Sequence, residues 1–149
     1  MLVYRIVLAK YGRVLAASGK AARWNSNEIR VIYASSSKSL ACLENVVHRS
    51  KLGLSANFSV LTIEIPDFIR ITTVKESSLP KDWQQFACMH LSQEIGDRWV
   101  AENEFPVMQV PSAIIPGEFN YLINPAHPDF SLIKLLKTEP FLFDDRIKD

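Results

Sequence analysis

The sequence predicts an α+β fold: a mixed, largely antiparallel sheet core with flanking helices, in one domain spanning residues 1–149. Three observations predict it. Strand-like segments outnumber helical ones. The two kinds follow one another in mixed order, without the strand–helix–strand rhythm of a parallel sheet. No repeat, low-complexity tract or linker divides the 149 residues, a length that suits one domain with a real core.

The elements follow in order. Leu2 to Ala9 is β-rich and reads as a first strand. Tyr11 to Ile29 is poor in branched apolar residues and holds Gly12, Gly19, Asn25 and Asn27, so it reads as a long loop with room for a short helix. Arg30 to Ala34 is a short strand. Ser35, Ser36 and Ser37 then offer an N-cap, and a helix runs to about His48. Phe58 to Ile65 alternates as a strand does until Pro66 stops it, and Ile69 to Val74 is a further strand candidate. Leu91 to Glu102 reads as a helix with Leu91, Ile95 and Trp99 on one side despite Gly96. Val107 to Val110, Phe119 to Ile123 and Leu132 to Leu136 complete the strands.

An apolar fraction of 48% and a charged fraction of 22% are those of a soluble globular protein. A net charge of +1 gives no reason to expect direct nucleic-acid or membrane-surface binding. The opening Met1 to Arg5 lacks the basic leader of a signal peptide, and no apolar run approaches the roughly 20 residues that span a bilayer. Cys42 and Cys88 make no disulfide framework, Cys42 reads as a core thiol, and a reducing cytoplasm is the expected compartment. His48, His90 and His127 have no metal-ligand spacing with either cysteine, so no metal is expected. Glycine-rich dinucleotide and triphosphate loops are absent, as is a Gly-x-Ser-x-Gly elbow around Ser112.

Three places carry candidate chemistry. On a wheel of the 39–48 helix, Leu40, Leu43, Val46 and Val47 form an apolar arc. Glu44 falls about 40° from Leu40 and about 60° from Val47, with His48 one turn on. A carboxylate at the edge of a buried face is a rim glutamate, an ion-pair partner, or a group lining a cleft. In the loop, Arg23 suits bidentate contact with phosphate, Trp24 can stack on a ring and Asn25 can bond sugar hydroxyls; the alternative is a buried anchoring tryptophan with solvated neighbours. Tyr33 is a core tyrosine or a site residue, and Arg5 a second phosphate ligand or a surface arginine. From Pro111 to Pro128, Ser112, Asn120 and Asn124 punctuate an apolar, proline-fixed frame, the composition of a pocket for a polar uncharged group.

These residues resemble the RES-domain family, the toxin half of RES–Xre toxin–antitoxin systems, named for an Arg, a Glu and a Ser. The matching residues are Arg23 in Ala22-Arg23-Trp24-Asn25, Glu44 in Leu43-Glu44, and Ser112 in Val110-Pro111-Ser112-Ala113. The likeness extends from Tyr4-Arg5 through Ile32-Tyr33-Ala34-Ser35, Leu79-Pro80-x-x-Trp83, Ile95-Gly96-Asp97-Arg98-Trp99 and Asn120-Tyr121-Leu122-Ile123-Asn124-Pro125-x-His127-Pro128 to Pro140-Phe141-x-Phe143-Asp144-x-Arg146. Relatives often carry glycine before the Arg, where this chain has Ala21 and Ala22. They often carry Pro and Gly after the Asn, where it reads Ser26-Asn27-Glu28-Ile29.

The resemblance implies a fold similar to the ADP-ribosyltransferase toxins, with NAD+ as substrate rather than bound cofactor, cleaved at the nicotinamide glycosidic bond by hydrolysis or phosphorolysis. It implies Arg23, Tyr33, Glu44 and Ser112 as catalytic residues, Arg5, Trp24 and Asn25 as substrate contacts, and an Xre-type antitoxin partner. ADP-ribosyl transfer to a protein is the alternative activity. A non-enzymatic nucleotide- or partner-binding module is the third.

Overall fold

The computed structural model describes residues 1–48 and 57–147. Its strands are β1 (Leu2–Leu8), β2 (Ile32–Ser35), β3 (Phe58–Glu64), β4 (Ile71–Thr73), β5 (Val107–Pro111), β6 (Phe119–Ile123) and β7 (Lys134–Phe141); its helices are α1 (Lys38–His48) and α2 (Met89–Glu102). The strands form one sheet in the order β4-β5-β6-β2-β1-β3-β7. Among the described residues, only β4 and β5 pair in parallel. The fold is the mixed, largely antiparallel α+β architecture expected.

Strand alternation decides which residues meet the helices. Tyr33, Leu122 and Met108 lie opposite one another across β2, β6 and β5. They pack with Trp24, Trp83 and Trp99 against the α2 side. Two residues along, Ser35 and Asn120 are opposite each other on that same face. Beyond β2, Ile6 and Val60 continue it and pack with Ala41 of α1. The other face is apolar as well, with Val3, Ile32, Ala34, Leu61, Ile63, Tyr121 and Ile123 in a separate cluster. Burial on both faces explains why several strands read as continuous apolar runs.

Most element ends move by one or two residues from expectation, and larger differences arise at β7, after β1 and along α2. The last strand runs Lys134–Phe141, not Leu132 to Leu136: Leu132 closes a 3-10 turn, Pro128–Leu132. β7 pairs along the whole length of β3 and is an edge, where Pro140 needs no outward donor; its mostly exposed residues carry no apolar alternation. A short 3-10 turn, Ala9–Tyr11, directly follows β1 and ends where the expected loop begins, so the strand stops at Leu8 rather than Ala9. The most buried line of α2 is Ser92, Gly96 and Trp99, rather than Leu91, Ile95 and Trp99, because α2 packs on backbone as well as side chains.

Candidate active site

α1 begins at a serine cap, the Leu40 N–H donating to Ser37 Oγ at 3.0 Å. The helix buries Leu40 and Ala41 and leaves Leu43 41% and Val47 59% exposed. The expected apolar arc is therefore turned: Leu43 and Val47 face outward, and the buried face passes through Leu40, Ala41 and Glu44. Glu44, one turn after Leu40, meets the sheet. Its Oε1 accepts hydrogen bonds from Asn120 Nδ2 at 2.7 Å and Ser112 Oγ at 3.3 Å. Its Oε2 lies 3.4 Å from His48 Nε2, and 21% of the side chain remains exposed.

Desolvation is the largest single influence on Glu44 and raises its pKa. The hydrogen bonds from His48, Asn120 and Ser112, with the His48 charge, together outweigh it, so the carboxyl titrates below its ordinary value of 4.5. A depressed carboxylate stabilises the fold above its unfolded pKa and loses that contribution as pH falls through the folded one. The stability difference between wild type and Glu44→Gln is therefore expected to be constant at neutral pH and to change only below about pH 4.5. Urea unfolding across pH 3–7 measures this.

Ser112 is held in one role. Its Oγ accepts the Ile114 and Ile115 N–H groups, each at 3.1 Å. With both lone pairs engaged, its proton points to Glu44. In this arrangement the hydroxyl is a donor to the carboxylate. Asn120 is held from behind: its Oδ1 accepts from Ser35 Oγ at 2.7 Å. Asn124, the third polar residue of that stretch, is elsewhere. It ties β6 to the end of α2 through Asn103 Oδ1, at 2.9 Å.

The loop before β2 is built from inside. Tyr33 donates its hydroxyl proton to Asn25 Oδ1 at 2.5 Å and accepts the Trp24 N–H at 3.1 Å. Asn25 Nδ2 donates to the carbonyls of Lys20, Ser26 and Ile29. Trp24 is 3% and Asn25 1% exposed. These two residues, expected to touch substrate, are instead the loop's internal frame: Asn25 bonds through both ends of its amide inside the loop, and Trp24 packs against Trp83 at 5.8 Å between ring centroids. Burial drives the Tyr33 phenol well above its ordinary pKa, so it stays protonated. Tyr33→Phe leaves a buried carbonyl oxygen and a buried N–H unpaired. It is expected to lower unfolding stability by about 2 kcal/mol, measured by denaturant melts.

What this frame leaves at the surface is Arg23. Its Nη1 donates to the Trp83 carbonyl at 3.3 Å, and its guanidinium lies 6.0 Å from the Trp83 ring centroid. Burial lowers its pKa, opposed first by the charge of Glu44 and then by Tyr33; Arg23 and Glu44 thus share one electrostatic neighbourhood. Arg5 does not join them. It sits between Tyr4 and Ile6, whose side chains face α1, so alternation directs it to the opposite face. Its Nη1 bonds the Tyr33 carbonyl at 3.0 Å, where β1 and β2 share a single register pair, Tyr4 with Ser35. The structure thus places Arg5 as a brace between strands. Surface hollows of about 200 and 340 Å³ lie over Trp99 and Met108 and beside Lys75, Gln109 and Phe119; neither is lined by Arg23, Tyr33 or Glu44.

A family model described as the RES domain matches residues 2–144. The chain belongs to the RES domain family. It is 39% identical over 127 residues, 84% of this chain and 79% of the relative, to the "Prs ADP-ribosylating toxin" of Sphingobium sp.. It is 31% identical to "Toxin Res" of Yersinia enterocolitica, over 99% of this chain and 100% of the relative. The same-named toxin of Photorhabdus laumondii is 34% identical, over 99% and 97%. A chain in the M. tuberculosis MbcT–MbcA toxin–antitoxin complex superposes with a TM-score of 0.76 at 17% identity, covering 95% of this chain and 84% of that one, and shows the shared fold. In this RES domain the matching Glu and Ser are in direct contact, and the matching Arg is within their field. No described helix is long and apolar enough to cross a membrane.

Sequence reasoning missed part of the RES site. Asn120 was legible as a polar residue on an apolar frame but not as the principal donor to Glu44. Ser35 read only as a capping serine. The cradle on α2 was not seen: Ser92 Oγ bonds the Arg23 carbonyl at 2.5 Å, Gln93 Nε2 the Ala22 carbonyl at 2.9 Å, and Asp97 holds both the N–H and the hydroxyl of Ser26, at 2.8 and 2.5 Å. Asp97 explains how the loop keeps its shape with serine after Asn25. The available signal was the polar residues of α2 one turn apart, Ser92 and Gln93 before Gly96 and Asp97.

Proposed function

We propose that this RES domain is a toxin that cleaves NAD+ at the nicotinamide glycosidic bond and is held in check by an Xre-type antitoxin. The observation that carries the reading is Glu44: an ionised carboxylate, mostly buried, with one oxygen fixed by Asn120 and Ser112 and the arginine charge of Arg23 nearby. The names of the toxin relatives support the same reading.

The chemistry needs only one such carboxylate. When the bond between C1′ and the pyridinium nitrogen breaks, its electron pair returns to the ring, and nicotinamide leaves neutral without taking a proton. Ordinary glycosides need a second carboxyl group because their leaving oxygen must be protonated. The positive charge left on C1′ and the ribose oxygen would be stabilised by Glu44 Oε2. Water then adds to C1′ and gives its proton to Oε2 or solvent, or phosphate adds as an anion. Arg23 would bind the pyrophosphate and fix the reacting carbon in place. A protein nucleophile replacing water gives ADP-ribosyl transfer, which the 39% identity to an ADP-ribosylating toxin favours as the second reading.

The test is the fate of NAD+ labelled in its ADP-ribose half, incubated with purified protein, with and without phosphate and cell lysate. Free labelled ADP-ribose or its 1-phosphate, with free nicotinamide, is the expected result. Label retained on protein establishes transfer. Intact NAD+ in every condition refutes both.

A further inference from the structure

The two oxygens of Glu44 are not equivalent. Oε1 takes two donors, Asn120 Nδ2 and Ser112 Oγ. Oε2 has only the exposed His48, at 3.4 Å, as a partner among the described residues. Behind Asn120, the 4%-exposed Ser35 supplies a proton to Oδ1. These contacts form a chain across three elements: Ser35 on β2, Asn120 on β6, Glu44 on α1.

We infer that Ser35 and Asn120 are a two-residue positioning relay that locks Oε1 and turns Oε2 to the substrate, an inference that rests on the proposed NAD+ cleavage. Asn120 is symmetrical enough to flip, but a flipped amide would set its oxygen against the carboxylate. The acceptor-only carboxylate takes the amide hydrogens, and the Ser35 hydroxyl reinforces that orientation by donating to Oδ1 on the far side. The register makes the contact possible, because Ser35 and Asn120 are directly opposite in adjacent strands. The second donor, Ser112, belongs to a turn and is fixed by two backbone N–H groups, so the carboxylate is held from two independent directions. Among the described residues, the charged or titratable groups that act on Glu44 are His48 from its own helix and Arg23 from the loop before β2, through the mutual charge effect. The relay residues are neutral, so they act by hydrogen bonding and direction rather than by charge. Relay variants therefore shift the acid limb of activity without adding a new ionisation.

The relay predicts a pattern that a merely structural pair would not show. Asn120→Ala is expected to lower kcat for nicotinamide release roughly tenfold or more, the loss of a hydrogen bond to a charged group, with little change in KM. Its acid limb moves toward higher pH. Ser35→Ala shifts the limb the same way by less, and Ser35→Thr restores it. In the Asn120→Ala background Ser35→Ala adds nothing, because its effect passes through Asn120. The direct readout is the Glu44 carboxyl titration by carbon NMR in wild type and the same variants. It reports on the relay even if NAD+ proves not to be the substrate. A Glu44 titration unchanged in folded Asn120→Ala overturns the relay. A shifted titration with no NAD+ turnover by wild type keeps the relay and refutes the proposed reaction.

Discussion

Gly96→Ala is expected to unseat the Arg23 loop and destabilise the protein by about 3 kcal/mol. A Cβ at Gly96 would lie 1.6 Å from the Trp24 carbonyl oxygen and 2.7 Å from its carbonyl carbon. These are backbone atoms, pinned on either side by Ser92 and Gln93 bonds to the Arg23 and Ala22 carbonyls and by Asp97 on Ser26. They cannot swing aside as a side-chain tip would, so helix and loop must separate. Helix propensity alone predicts the opposite sign, since alanine in a helix interior is better than glycine by about 1 kcal/mol; overpacking of a close contact, at about 1–3 kcal/mol, and the lost loop bonds decide it. Denaturant unfolding reads the stability. Tryptophan fluorescence reads the loop, because Trp24 and Trp83 pack there. Activity falls with it, although Gly96 touches no reacting group: the arginine is carried on the displaced backbone.

Glu44→Gln is the second large effect, and the cleaner one. The glutamine side-chain oxygen can accept the same bonds from Asn120 and Ser112, so the fold around α1 is kept while the negative charge is lost. Removing one electrostatic group aimed at developing charge typically lowers kcat by about 100- to 1000-fold. NAD+ cleavage is expected to fall by that order, with KM and unfolding stability near neutral pH far less affected. Glu44→Ala is the poorer probe, since it strands the half-buried Asn120 amide and the Ser112 proton.

Most of the architecture was legible because apolar runs bounded by proline, glycine and serine clusters mark strands and caps whatever the tertiary context. The parts that were not legible share a physical cause. β7 is an exposed edge, so its residues carry no alternation to read. The turned face of α1 arises because Glu44 and Asn45 occupy half-buried positions against the sheet: Asn45 Nδ2 bonds the Ile6 carbonyl at 3.3 Å, and a helix that turns polar groups inward defeats an apolar wheel. Trp24 and Asn25 read as ligand groups because residue type reports what a side chain can bond, and only tertiary structure reports what it already does. Asn25 is buried, and its amide bonds the loop carbonyls and Tyr33. Arg23, Glu44 and Ser112 were legible as separate candidate groups and the family resemblance joined them, while the roles of Asn120 and Ser35 needed the register of β2 against β6.

The most direct measurement is free nicotinamide released from NAD+ by purified wild type and Glu44→Gln, quantified by mass spectrometry at matched folding by circular dichroism. Release by wild type, with at least a hundredfold less from the variant, is the expected result. Equal release from both, or none from folded wild type that binds NAD+, would contradict a reaction centred on Glu44.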